Sequence, residues 1–243
     1  AWVILAISVL AVSSAGAVFQ LISEVNPILR ASWRLQATSL ILFPPFIYQI
    51  ANLRKNDPKM FSRIKERQVI LAIIGSSICL WIHFGSWVWS LDHTSLTHSL
   101  LFVTAHPLVI VAGLYFLGKQ ISPKQTSGAF LGFLGAGITL LGVTNEGEVT
   151  LIGDFAAFIG AIAIVGYLVA GRVLREWMPL FIYAFPVTFI ASILLGLSSI
   201  AIEGTSLGGL PAVSSLFGWH DVLWLPAIAY LAIGPGLVGH TGI

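Results

Sequence analysis

The chain has 243 residues, 57% of them hydrophobic, with 12 Lys+Arg, 10 Asp+Glu and a formal net charge of +2. A charged fraction of 9% is far below the roughly 25% of ordinary soluble domains, so a water-facing globule is excluded and lipid must solvate most of the surface. Beyond one loop the bases form no stripe of the kind that binds nucleic acid, and a lone cysteine, Cys79, rules out a disulfide framework within the chain.

A bilayer core takes about 20 apolar residues as helix, and polar punctuation divides the chain into eight predicted spans at 2–22, 28–50, 69–90, 96–117, 127–144, 155–173, 180–202 and 222–243. Long continuous runs predict helices, because barrel strands would alternate over segments of about 10 residues. In the second span Arg30 and Arg34 are four apart and project from one face. Arg34 is the candidate contact for a carboxylate or phosphate; the competing role is pairing with Glu24 or Asp92, while Arg30 reaches the headgroups. Pro44 and Pro45 are expected to kink this helix, as are Pro107, Pro186 and Pro235 in theirs.

The third span sets His83 and Trp87 one turn apart, an imidazole and an indole on one face suited to a partly hydrated ligand. In the fourth, His98 and His106 are eight apart, about 80° around a continuous helix, and would bracket a cavity with Ser99 and Thr104. Neither an HExxH motif nor a tight histidine cluster is present, so no metal and no other cofactor is expected. Gly128, Gly132, Gly135 and Gly142 in the fifth span form small-residue steps expected to let helix backbones approach. Tyr167, halfway along the sixth, is a hydrogen-bonding candidate, and His240 in the eighth sits in a repeat position equivalent to His83. No acid falls in the central third of any span, so a carboxylate relay for coupling ions is not visible.

Cytoplasmic loops collect Lys and Arg. With the first helix running outward, the inner loops hold Arg54, Lys55, Lys59, Arg63, Lys65, Arg67, Lys119, Lys124, Arg172 and Arg175, leaving only Arg30 and Arg34 toward the outside. The N-terminus is therefore expected to be cytoplasmic, and the basic stretch 54–67 reads first as a topogenic loop. Superimposing the first span on the sixth at a shift of 152 pairs Glu24 with Glu176 and Pro27 with Pro179; further along, after a small gap, His83, Phe84 and Gly85 correspond to His240, Thr241 and Gly242. Five spans per unit is an odd number, so the second copy enters the membrane from the opposite side, an inverted repeat of the type that builds secondary transporters.

The stretch from Ser95 to Gly142, with its hydroxylated start (Ser95, Thr97, Ser99), mid-helix Pro107, terminal Leu117 and Gly118 and glycine-studded fifth span, resembles the EamA-type repeat of the drug/metabolite transporter superfamily. Gly153 and Asp154, then Ala157, Tyr167 and Arg172, look like the opening of that family's second repeat, and Pro27 followed by Arg30 and Arg34 resembles its proline-then-arginine entry. Lys119 stands where the family often has an acid, so no carboxylate role carries over there. The resemblance implies an all-α, multi-pass helical bundle of two inverted five-helix repeats around a cavity open alternately to each side. The first repeat is placed at 1–145, and the second at 151–243, truncated after about three helices as expected of a fragment.

The expected function is a secondary carrier that moves a small organic metabolite across a plasma or organellar membrane by alternating access, without enzymatic chemistry. Its solute would contact Arg34, His83, Trp87, His98, His106, Tyr167 and His240. The partners are that solute and the bilayer, not nucleic acid, with a homodimer left open. A heptahelical receptor or sensor and an intramembrane enzyme are the alternatives; the latter lacks a histidine, cysteine and carboxylate constellation.

Overall fold

The computed structural model describes residues 2–140 and 148–239, and among these it is all-helical apart from one isolated bridge, Ser206 to Ser215. The helices are α1 (Trp2–Ser13), α2 (Ala15–Leu21), α3 (Pro27–Asn56), α4 (Pro58–Arg63), α5 (Arg67–Ser90), α6 (Leu96–Val103), α7 (His106–Phe116), α8 (Pro123–Leu140), α9 (Leu151–Arg175), α10 (Leu180–Glu203) and α11 (Leu225–Leu231), the last running into a π-helix at Ala232–Gly239. By length and composition four helical stretches among the described residues are able to cross a membrane: α5, Leu96–Phe116, α9 and α10. The chain forms two compact units, Ala1–Trp81 with Tyr167–Ile243, and Ile82–Gly166.

The first unit is organised by α3 and α10, which pack side by side in opposite directions. Ser32 donates to the Ser192 carbonyl at 3.2 Å, and Phe46 stacks on Phe185 with ring centroids 4.6 Å apart. Leu29, Ala31, Val187, Ala191 and Leu195 are fully buried along the seam, whereas Leu40, Phe43, Ile47 and Leu197 stay exposed on the outward faces. Lipid removes the hydrophobic drive that would pair such helices in water, leaving close packing and hydrogen bonds to hold them.

Helix ends supply those bonds. A proline opening α3 suits its first turn, but the next amides have no intrahelical acceptor. The Glu203 carboxylate takes both, from Ile28 at 2.8 Å and Leu29 at 3.0 Å. At the opposite end of the pair Gln49 Oε1 accepts from the Phe181 amide, in the first turn of α10, at 3.0 Å. Each helix thus caps the start of the other.

Several expectations from sequence change here. The 2–22 span is divided at the single turn residue Ser14, whose hydroxyl reaches the Ala11 carbonyl at 2.8 Å and the Tyr230 hydroxyl at 2.7 Å, while its own amide still bonds the Leu10 carbonyl at 3.1 Å. The second span does not end at 50: α3 runs through Pro44 and Pro45 and on to Asn56. The eighth span begins at Leu225 rather than 222 and widens into a π-turn around Pro235. A proline lacks the amide and its ring crowds the carbonyl four residues back, and a π-turn relieves both.

The connection after α10 is ordered. Gly204, at φ 70°, adopts the left-handed conformation that ends the helix. Trp33 Nε1 then donates to the Ser215 carbonyl at 3.1 Å and Gln36 Nε2 to that of Leu216 at 3.1 Å, while Trp219 Nε1 donates to Gln36 Oε1 at 2.9 Å. These bonds seat residues 204–219 on the polar face of α3. Gly218 is required in this seat, since a Cβ there would collide with the Ala212 carbonyl.

The second unit holds the end of α5, α6 to α8 and the start of α9. The expected single helix through His98 and His106 is two helices, parted at Thr104 and Ala105. Thr104 Oγ1 bonds back to the Leu100 carbonyl at 2.7 Å, and Pro107 in the first turn of α7 has no amide to continue α6. The 80° relation between the two histidines therefore does not hold. Nor do Gly128, Gly132 and Gly135 carry a helix contact: a Cβ at each would meet open space within 4 Å. Gly142 lies outside the described residues.

Candidate functional site

In the first unit α3 carries Arg30 and Arg34 on one face, and both are buried to within 1% of complete. Arg30 Nη1 donates to the Phe19 carbonyl at 2.8 Å, where the negative end of the α2 peptide dipoles favours a cation. The Arg34 guanidinium carbon is 5.8 Å from the centre of the Phe19 ring. Ionised groups persist in such surroundings only when bonded or hydrated, and the backbone carbonyl and the ring face supply part of that environment. Tyr167 lies elsewhere in this unit, on α9, with its ring 6.2 Å from that of Tyr183. The Tyr183 hydroxyl is 2.6 Å from that of Ser76 and donates to the Tyr167 carbonyl at 3.4 Å.

In the second unit His83 and Trp87 come together. Their rings stack at 5.8 Å with an interplanar angle of 23°, and Phe84 meets the imidazole edge-on at 4.9 Å. His83 Nδ1 donates to the Gly160 carbonyl at 2.9 Å, which fixes the tautomer and leaves Nε2 as an acceptor while the ring is neutral. Gly160 permits this approach of α9 to α5, since a Cβ there would lie 3.2 Å from Ser86 Oγ and 3.3 Å from the His83 carbonyl.

His98 has a different partner. Its Nδ1 donates to Asp154 Oδ2 at 3.1 Å, and the Thr94 hydroxyl donates to Oδ1 at 2.7 Å. Asp154 stands in the first turn of α9, where helix dipoles favour a carboxylate. Nearby, the Ser90 and Ser99 hydroxyls are 2.6 Å apart, and Thr150 bonds the His93 carbonyl. His106 opens α7 and is half-buried. Between α7 and α8 a groove of about 520 Å³ is lined by Pro107, Leu108, Val111, Leu114, Gly128 and Gly132, with Thr104, Lys124 and Gln125 adding polar atoms. Among the described residues no three His, Cys, Asp or Glu side chains gather as a metal would need. His240 lies outside the described residues.

A family model, the EamA-like transporter family, matches residues 1–141, more than half of the chain. The chain belongs to the EamA-like transporter family. No curated protein and no solved structure matches it. As a member of the EamA-like family it is a multi-pass integral membrane protein of the drug/metabolite transporter type, a helical bundle whose family handles small-molecule solutes. The EamA-like match covers α1 to α8, and with them Arg34, His83, Trp87, His98 and His106; Tyr167 and His240 fall beyond it.

Three polar residues of this EamA-like chain were missed by inspection of its sequence. Asp154 was legible in part, as the acid after Gly153 opening a span, but its partners were not. Gln49 and Glu203 gave no signal beyond being polar near helix ends; their bonds join residues 132 and 175 positions apart.

Proposed function

We propose that the protein is a secondary carrier that moves a small polar or amphipathic organic solute by alternating access between two inverted repeats, with an N-terminus in the cytoplasm. The carrier makes no covalent change to its cargo. One observation carries the reading: the antiparallel pair α3 and α10 is capped reciprocally, Glu203 on the Leu29 amide and Gln49 on the Phe181 amide. The repeat shift of 152 maps Leu29 onto Phe181, and Glu203 onto a position two residues from Gln49. A twofold axis in the membrane plane relates equivalent contacts in this way, and transporters place their solute and their moving interface at such an axis.

Within this reading 1–145 and 151–243 are the two repeats, and the solute contacts are Arg34, His83, Trp87, His98, His106, Tyr167 and His240. The stacked His83 and Trp87 bring an imidazole and an indole to the cargo site; Arg34 favours an anionic group on it. Pro44, Pro45, Pro186 and Pro235 weaken their helices at points where bending is needed to exchange two conformations.

The test is counterflow in proteoliposomes, using cargo chosen from a thermal-shift screen of amino acids, nucleosides, sugar phosphates and organic acids. His83→Ala and Trp87→Ala should each lower flux while leaving membrane insertion intact. Unchanged kinetics in both would remove the pair from the site, and no counterflow of any cargo that stabilises the protein would remove the carrier.

A further inference from the structure

The segment 54–67 carries Arg54, Lys55, Lys59, Arg63, Lys65 and Arg67 against only Asp57 and Glu66, a net charge of +4 in a chain whose total is +2. All six bases are exposed. The segment joins the end of α3 to α5, so it stands immediately before one of the apolar spans. A loop needed only to set topology during insertion can be unstructured, yet this one is built. Asp57 caps α4, accepting the Met60 amide at 2.9 Å, which ties up one of the two acids. The Arg63 guanidinium lies over the Trp177 ring, 3.9 Å from its centre, and Lys65 Nζ lies 4.0 Å over Phe61. Trp177, in the turn between α9 and α10, is half-buried, as are Met60, Phe61 and Ile64 in the segment itself. Aromatic rings of this kind settle at headgroup depth, and they hold the two cations there. Arg67 opens α5, so its charge adds to the positive end of the helix dipoles instead of opposing it.

We propose that α4 and its flanks form a docking surface for anionic phospholipid headgroups, with Lys59, Arg63 and Lys65 engaging the phosphates while Trp177, Phe61 and Met60 settle beside them at headgroup depth. The surface rests on the membrane location of the chain and not on the carrier reading. Juxtamembrane clusters of four to eight Lys and Arg act on anionic bilayers in this way, each contributing within a Debye length of the surface.

The intact protein is reconstituted into phosphatidylcholine bilayers containing a minority of phosphatidylglycerol, and energy transfer from its tryptophans to fluorescent phosphatidylglycerol or fluorescent phosphatidylcholine gives the lipid preference of its first shell. The wild type should prefer phosphatidylglycerol several-fold. The preference should fall toward unity in the triple variant Lys59→Gln, Arg63→Gln, Lys65→Gln, and also on raising salt, as the Debye length shrinks from about 10 Å to about 3 Å between 0.1 M and 1 M. Soluble glycerol phosphate should not compete. An equal preference for the two lipids in the wild type, retention of the preference in an inserted triple variant, or displacement by glycerol phosphate would each overturn the proposal. If the triple variant fails to insert, the salt dependence of the wild type decides. Counterflow is measured in the same vesicles, so a protein that selects anionic lipid without moving any solute would refute the carrier and leave the surface standing.

Discussion

Removing the carboxylate of Glu203 tests whether the antiparallel pair is held at its ends. In Glu203→Ala the amides of Ile28 and Leu29 lose acceptors at 2.8 and 3.0 Å, and Ser199 Oγ loses one at 2.8 Å. Hydrogen bonds to a charged acceptor contribute about 1.5–3 kcal/mol each and an ordinary helix cap about 1 kcal/mol. Leu29 is fully buried but Glu203 is half-exposed, so water recovers part of the loss at the helix end. The net cost should be about 2–3 kcal/mol. Glu203→Gln keeps one oxygen acceptor and should lose about 1 kcal/mol, and Gln49→Ala, which removes one neutral bond at 3.0 Å, a similar amount. Leu29 and Gln49 are 20 residues apart along α3, about 30 Å, and sites that distant add. The assay is reversible unfolding in mixed micelles with increasing dodecyl sulfate, read by tryptophan fluorescence. A Glu203→Ala midpoint indistinguishable from wild type would refute the capping argument, as would a double variant far from the sum of the singles.

Other outcomes follow from single contacts. Asp154→Leu removes the acceptor of both Thr94 and His98 and should cost more than Asp154→Asn, by about 1–2 kcal/mol in the same unfolding assay; equal losses would make the pair inert. Gly160→Val pushes atoms into Ser86 and the His83 backbone and should destabilise by about 1–3 kcal/mol. Gly132→Ala, on an open face of α8, should be neutral or raise the midpoint, because alanine favours a helix by about 1 kcal/mol over glycine. Tyr183→Phe should cost about 1 kcal/mol through loss of the bond to Ser76.

The helical bundle was legible because charge scarcity and 20-residue apolar runs leave a chain few other ways to satisfy its backbone in lipid. His83 and Trp87 were legible as a pair for a local reason, their separation of one helical turn, whereas the Gly160 carbonyl that orients the imidazole comes from 77 residues away. The breaks at Ser14 and Thr104 were hidden because a hydroxyl in a helix can point outward or bond back, and the choice depends on neighbours such as Tyr230. Glycine steps in α8 share the spacing of packed membrane helices, but spacing does not say whether a partner faces them. Arg30 was expected to reach outward to headgroups; its burial against the Phe19 carbonyl depends on the turn after α2, which no periodicity encodes.

The inversion of the two repeats is tested most directly by labelling equivalent positions. Glu24 and Glu176 are paired by the shift of 152 and both are exposed. With Cys79 replaced by alanine, Glu24→Cys and Glu176→Cys are probed in sealed cells with a thiol reagent that cannot cross the membrane. The account predicts that Glu24→Cys reacts from outside and that Glu176→Cys reacts only after the membrane is opened. Labelling of both from the same side would contradict it.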